Sequence, residues 1–301
     1  MEMTGSASVP FGKAALSAQA LLAKLKSRGL VVANDNLALK YIGYVGHYRL
    51  KGYWHQLIDR ASGNFFPGTS LEQIVNRYEC DRKIRAVILE SIERLEVAVR
   101  TTICNHLSLR YSPHWYLDLQ VFLPTKSFGM GQMLSRIEQE VGRSNQKEFI
   151  ASYYSNYGDP YLPPGWAMSE CVTLGMWSRT FSILRDPLDQ KAISAKFGIK
   201  QVEVFASWLH TLTVLRNMAA HHDRFLGCKL GVSPTNYKKR GIKFADNKSV
   251  YAALTMIHIL LDAIGFNGAF KQRIADIEAR YGSGLFQTLG FPHDWKNSAG
   301  W

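Results

Sequence analysis

The stretch LHTLTVLRNMAAHHDRFLG, Leu209 to Gly227, holds the residues best suited to chemistry: Arg216, Asn217 and His221. A guanidinium grips phosphate oxygens through a planar fork of N–H donors, and an imidazole carries protons near neutral pH. An amide beside them can orient the ring or a phosphate oxygen. Such a set can move protons and stabilise developing negative charge. Spacing decides how much the pattern means. An arginine followed a few residues later by a histidine arises by chance about once or twice in a chain of this composition, and Arg49/His55 and Arg100/His106 also fit. Requiring Asn, Asp or His directly after the arginine, with four residues separating it from the histidine, lowers the chance expectation to about 0.06 and leaves Arg216–His221 alone.

On a helix, Phe205, Trp208, Leu212, Leu215 and Ala219 form an apolar stripe whose next position is His222. His210, Val214, Asn217 and His221 form the neighbouring stripe, so Asn217 and His221 share a face beside the buried seam. Arg216 lies about 140° around the helix from His221. The two converge only if the arginine curls or another helix or subunit completes the site; Ala219 and Ala220 leave room for that approach. His222 is expected to pack or cap, close enough to support His221.

Other combinations read as scaffold. Arg100 is expected to pair with Glu96 one turn earlier, and Arg49/His55 lies in a glycine-broken segment. His222-Asp223 resembles the HD pair of metal-dependent phosphohydrolases, with His210, Asp246 and Asp262 available as further ligands. Consecutive His221, His222 and Asp223 point in different directions on a helix, which ranks that reading low. The four cysteines, Cys80, Cys104, Cys171 and Cys228, form no CxxC pair, so neither a cysteine zinc site nor a disulfide framework is expected. No metal and no cofactor are expected.

Thirty-six Lys+Arg against 24 Asp+Glu in 301 residues leave a net charge of +12, which favours a polyanionic partner. The first choice for contacts to RNA phosphates is Lys238, Lys239 and Arg240, in the basic loop Gly227 to Asn247. The opening MEMTGSAS lacks a basic segment followed by an apolar one, and Tyr251 to Phe266 is shorter than a membrane span and carries His258 and Asp262. A cytoplasmic chain without membrane contact is the expectation.

Helical periodicity dominates the elements that must position these groups. A first helix is capped by Ser17 and stopped at Gly29, and a second follows Asn34-Asp35-Asn36. Tyr41 to Leu57 is glycine-broken; its Tyr41, Tyr44, Tyr48, Tyr53 and Trp54 are read as packing between short helices rather than stacking on bases. Thr69-Ser70-Leu71-Glu72 is read as a capping box opening a long helix to about Arg110, with Ile84, Ile88, Ile92, Leu95, Val99, Ile103 and Leu107 as its buried stripe. Pro113, Pro124 and the Ser127–Gly131 stretch mark a connection. Further helices are expected at about 132–150, from Trp166 to just before Asp186, at 200–225, 248–265 and 268–281. The fold class is all-α, a helical bundle with an added N-terminal lobe.

Several segments in order carry a resemblance: AQALLAKLKSRGL, YIGYVGHYRLKGYW, FFPGTSLEQIVNRYECDRKIR, IERLEVAVRTTI, WAMSECVTLGMWSR and LRNMAAHHDRFLG. Over roughly residues 15–230 the chain resembles the Abi-like family of bacterial phage-resistance proteins (the AbiD/AbiF group), of the HEPN superfamily. The resemblance implies a HEPN-like bundle, here divided into an N-terminal lobe 1–62, a core 63–265 and a C-terminal helical extension 266–301. It implies a metal-independent endoribonuclease toxin in which Arg216, Asn217 and His221 are the motif residues. Two copies would face each other in a homodimer, leaving a 2′,3′-cyclic phosphate and a 5′-hydroxyl on cleaved RNA. A noncoding RNA antitoxin is an implied partner, and Glu170 is the candidate acidic partner of Arg216. The alternatives are a non-catalytic RNA-binding protein and the HD-type phosphohydrolase.

Overall fold

A computed structural model describes residues 11–123, 128–266 and 268–301; Pro124 and Ser127 lie outside the described residues. Among these residues the chain is helical, with isolated β-bridges and no named strand. It divides into two compact units, Met1–Glu79 and Cys80–Trp301, with the boundary inside one long helix.

In the first unit, α1 (Ala18–Ser27) starts where the Ser17 hydroxyl accepts from Ala20 N and buries Leu22 and Leu25. Asn34 caps α2 (Asp35–Tyr41) in the same way through Leu37 N. A π-turn, Ile42–Gly46, leads into α3 (His47–Trp54), and Gly46 at φ 93 supplies a backbone turn that a side chain would strain. The aromatic stretch splits here. Tyr53 and Trp54 are buried, making edge contacts to Tyr78 at 5.6 Å and Phe65 at 5.7 Å, whereas Tyr44 and Tyr48 stand 90% and 87% exposed. Packing accounts for the first pair but not the second.

The long helix is α4 (Leu71–Arg110). Its capping box sits one residue later than expected: Gln73 N donates to Ser70 Oγ at 3.3 Å, and Ser70 N donates to Gln73 Oε1 at 3.1 Å. Ser70 and Gln73 therefore form the reciprocal pair, while Thr69 is buried. The expected stripe is the seam of the second unit, with Ile84, Ile88, Ile92, Leu95, Val99, Ile103 and Leu107 all at 0–1% exposure.

Around α4 the second unit arranges α5 (Met130–Arg143), α6 (Glu148–Asn156), α7 (Gly165–Met168), α8 (Leu174–Ser182), α9 (Pro187–Lys196) and α10 (Val202–Ala220). They are followed by α11 (Val250–Ala263), α12 (Phe270–Tyr281) and α13 (Ser283–Thr288). Two expected helices are each split. Gly142, Ser144 and Asn145 favour a turn that separates α5 from α6. Between α7 and α8 the chain bends so that Leu174 N can donate to Glu96 Oε1 at 3.0 Å. That bond engages Glu96, and Arg100 pairs instead with Glu170 at 2.6 Å.

Arg100 and His106 serve different partners. His106 Nε2 lies 2.7 Å from Asp189 Oδ1, and Arg110 and Tyr111 donate to the same carboxylate at 2.7 and 2.6 Å. Asp189 is 1% exposed, so three donors satisfy a buried carboxylate that ties the end of α4 to α9. Burial, then the bond to Asp189, pushes the Tyr111 hydroxyl up to about 12. Gly165 marks a close approach: a Cβ there would lie 2.8 Å from Trp115 Nε1, 3.2 Å from Cys104 Sγ and 3.3 Å from Pro113 O. Gly165→Ala is expected to cost about 1–3 kcal/mol by overpacking, read as a lower midpoint in thermal or urea unfolding.

Candidate functional site

The site is built on α10. Phe205, Trp208, Leu209, Leu212, Leu215 and Ala219 are fully buried, and Phe205 stacks on Phe197 at 4.9 Å and meets Phe181 edge-on at 5.1 Å. Burial of this stripe fixes the helix's rotation and leaves Asn217 and His221 exposed on the far side, with Arg216 half-buried. His210, on the same stripe as Asn217, is also exposed.

The helix ends at Ala220, five residues earlier than the sequence periodicity suggests. His222 N donates to Ala219 O at 3.1 Å and Asp223 N to Met218 O at 2.8 Å, the paired bonds of a Schellman stop. His221 is the C-cap, and His222 takes the left-handed position at φ 60 that glycine usually fills. It is the sole non-glycine residue with positive φ among the described residues. His222 therefore caps, and the apolar stripe ends one turn before it. A left-handed conformation costs a Cβ-bearing residue about 1–2 kcal/mol. His222→Gly is expected to be more stable than His222→Ala by about 1 kcal/mol, because both lose the ring but only glycine relieves the backbone. Equal unfolding midpoints for the two would contradict a strained cap.

Beyond the stop, the chain is tied to α4 through residues that the sequence reading passed over. Phe225 N and Leu226 N donate to Asp81 Oδ1 at 2.9 and 2.7 Å, with Phe225 and Leu226 themselves buried. Asp81, fully buried, also pairs with Arg85 one turn along, and Arg85 donates to Asp223 O at 3.3 Å. The signal was present: an Asp and an Arg at i and i+4 beside the apolar stripe of the long helix can take an interior task together.

The expected partners of the motif divide. Glu170 is taken by Arg100, so it does not hold Arg216. Among the described residues, the Arg216 guanidinium, the Asn217 amide and the His221 ring have no hydrogen-bond or ion-pair partner, and none joins another. Lys238, Lys239 and Arg240 are exposed on a short turn ahead of Gly241. Buried Tyr237, whose hydroxyl accepts from Lys200 N at 2.9 Å, holds that turn near the start of α10. The motif lies toward the other end of the helix, from about 21 Å (Arg216) to about 28 Å (His221) along its axis from Val202 at 1.5 Å per residue.

Among the described residues no three His, Cys, Asp or Glu side chains come together as a metal-binding group. His222 and Asp223 therefore lack the converging further ligands, from His210, Asp246 or Asp262, that an HD centre needs. No helix of the described residues is long and apolar enough to cross a membrane.

A family model described as Abi-like protein matches residues 40–226, more than half of the chain and inclusive of Arg216, Asn217 and His221. No curated protein and no solved structure matches the chain.

Proposed function

The chain belongs to the Abi-like family of abortive-infection defence proteins, and on that premise we propose that it is a metal-independent endoribonuclease acting through Arg216, Asn217 and His221. The observation that carries the reading is that these polar side chains have no partner among the described residues while the stripe beneath them is fully packed. The groups are left available for a ligand.

The chemistry follows from the residue types. The 2′-hydroxyl of a ribose attacks the adjacent phosphorus and expels the 5′-oxygen. His221 moves a proton at the attacking or the departing oxygen. Arg216 supports the extra negative charge on the phosphorane oxygens, and Asn217 orients the ring or a phosphate oxygen. A helix C-terminus, with its outward carbonyls, repels phosphate. The guanidinium must therefore supply the positive charge that the backbone at this end of α10 cannot. Because Arg216 and His221 diverge by about 140° on one helix, a second copy facing the first completes the pair. The dimer is part of the proposal.

Incubation with single-stranded RNA in excess EDTA tests the reaction. Cleavage that persists and leaves 2′,3′-cyclic phosphate ends is the expected result. Activity abolished by EDTA would overturn the metal-free mechanism. RNA binding without cleavage, unaltered by His221→Ala, would instead make the chain a binding module.

A further inference from the structure

A cleft of the second unit is lined by none of the motif's residues. It has a volume of about 680 Å³, within the roughly 300–1,000 Å³ of small-molecule sites. Phe149, Tyr153, Tyr157 and Trp166 form its walls together with His114. Several of these rings face solvent: Tyr157 is 61% exposed and Trp166 55%. Exposed aromatics gathered around one hollow are costly unless something stacks on them.

The polar groups are few and specific. Asp159 lines the cleft, its charge acts on both His114 and Tyr153, and its carboxylate has no hydrogen-bond or ion-pair partner among the described residues. Burial holds the His114 pKa below its ordinary value against the opposing pull of Asp159, so that wall is an uncharged ring at neutral pH. Its Nε2 is buried without a hydrogen-bond partner. At the Glu170 edge stand two cations: Arg100, paired with Glu170 at 2.6 Å, and Lys147, whose Nζ donates to Glu170 O at 3.3 Å.

Aromatic walls, an acceptor-only carboxylate on the exposed lining and cations at one edge match the parts of a nucleotide. Rings stack on a base, and Lys and Arg meet its phosphate. The carboxylate selects which base. Guanine alone offers two adjacent donors, N1–H and the N2 amino group, to a group that only accepts. Adenine and cytosine place a ring acceptor beside their single amino group, and uracil flanks its one N–H with carbonyls. We propose that this cleft binds a guanine nucleotide, with the base between the aromatic walls and its Watson–Crick edge on Asp159. The ligand is either a free nucleotide or an unpaired guanine in an RNA strand.

The site does not depend on cleavage, so the test uses the full chain carrying Arg216→Ala and His221→Ala, which keeps every probe intact. Titration calorimetry with GMP, AMP, a single-stranded oligoadenylate and the same oligomer bearing one guanine separates the cases. Guanine probes are expected to bind about tenfold or more tighter than their adenine counterparts. Asp159→Asn should remove about tenfold of guanine affinity and leave adenine unchanged, whereas Trp166→Ala should weaken both by about tenfold. Tyr157→Leu, at a more exposed wall, gives a second stacking variant, and circular dichroism melts confirm that each variant folds. Binding of GMP but not of the guanine oligomer assigns the cleft to a free nucleotide; tighter binding of the oligomer assigns it to a strand. Absence of saturable guanine binding, equal affinity for guanine and adenine, or affinities untouched by Asp159→Asn overturns the proposal.

Discussion

Replacing His221 by alanine is expected to lower RNA cleavage about 10²–10⁴-fold, the contribution of a positioned general acid or base. Arg216→Ala is expected to cost about 10²–10³-fold, the scale of a lost charge-stabilising donor. Both changes should leave the unfolding midpoint close to that of the unaltered chain. His221 is exposed, Arg216 is half-buried, and neither ring nor guanidinium supports another described residue. That combination separates a site from a scaffold: a structural residue would lose stability along with activity. Combining the two substitutions should cost little more than the worse one alone, because residues acting on one transition state are not additive. Mixing the two inactive single variants offers a further readout. If paired copies contribute different groups, some activity returns in the mixture; if each copy works alone, none does. Full activity in both single variants would remove the assignment of Arg216 and His221.

The second large effect is expected at Asp81. This carboxylate is fully buried and accepts from Phe225 N, Leu226 N and Arg85, so Asp81→Asn removes the negative charge that Arg85 meets in the interior. Breaking a buried pair from one side costs about 3–5 kcal/mol. Urea unfolding should show that loss as a lower midpoint with little change in slope. A double variant, Asp81→Asn with Arg85→Met, should recover part of it, since the buried cation is gone as well. Simple additivity of the two losses would show that the pair is not the source. The same substitution should reduce cleavage as well, because the two backbone N–H groups that anchor the turn following His221 then meet a neutral amide oxygen in place of a carboxylate. Asp81 acts there by positioning and has no part in the chemistry itself.

The α4 stripe, the all-helical class and the Arg216–Asn217–His221 spacing were legible because each is a pattern along a single helix. Periodicity reports what a helix buries, and Ile84 through Leu107 obeyed it residue by residue. What stayed illegible was decided across long separations. Glu96 leaves its helical neighbour to cap Leu174, which frees Arg100 for Glu170 and so deprives Arg216 of its expected partner. No local spacing announces that exchange. The stop at Ala220 was equally hidden, because the residue in the left-handed position is a histidine and the usual glycine marker, Gly227, comes several residues later. The split at Ser144–Lys147 was readable in principle from Gly142, Ser144 and Asn145, but the amphipathic pattern on both sides outweighed three weak turn formers.

Helix α10 also acts as a ruler. With Lys238, Lys239 and Arg240 held near one end and Arg216 with His221 toward the other, a ligand touching both must extend about 21–28 Å, or about six to eight stacked nucleotides at 3.4 Å each. A footprint of that length would make short oligomers poor competitors, since they could occupy the cutting end or the anchoring end but not both. It would also divide salt sensitivity unevenly, weighting it toward the lysine-bearing end, where contact is electrostatic and carries no instruction about where the strand is cut.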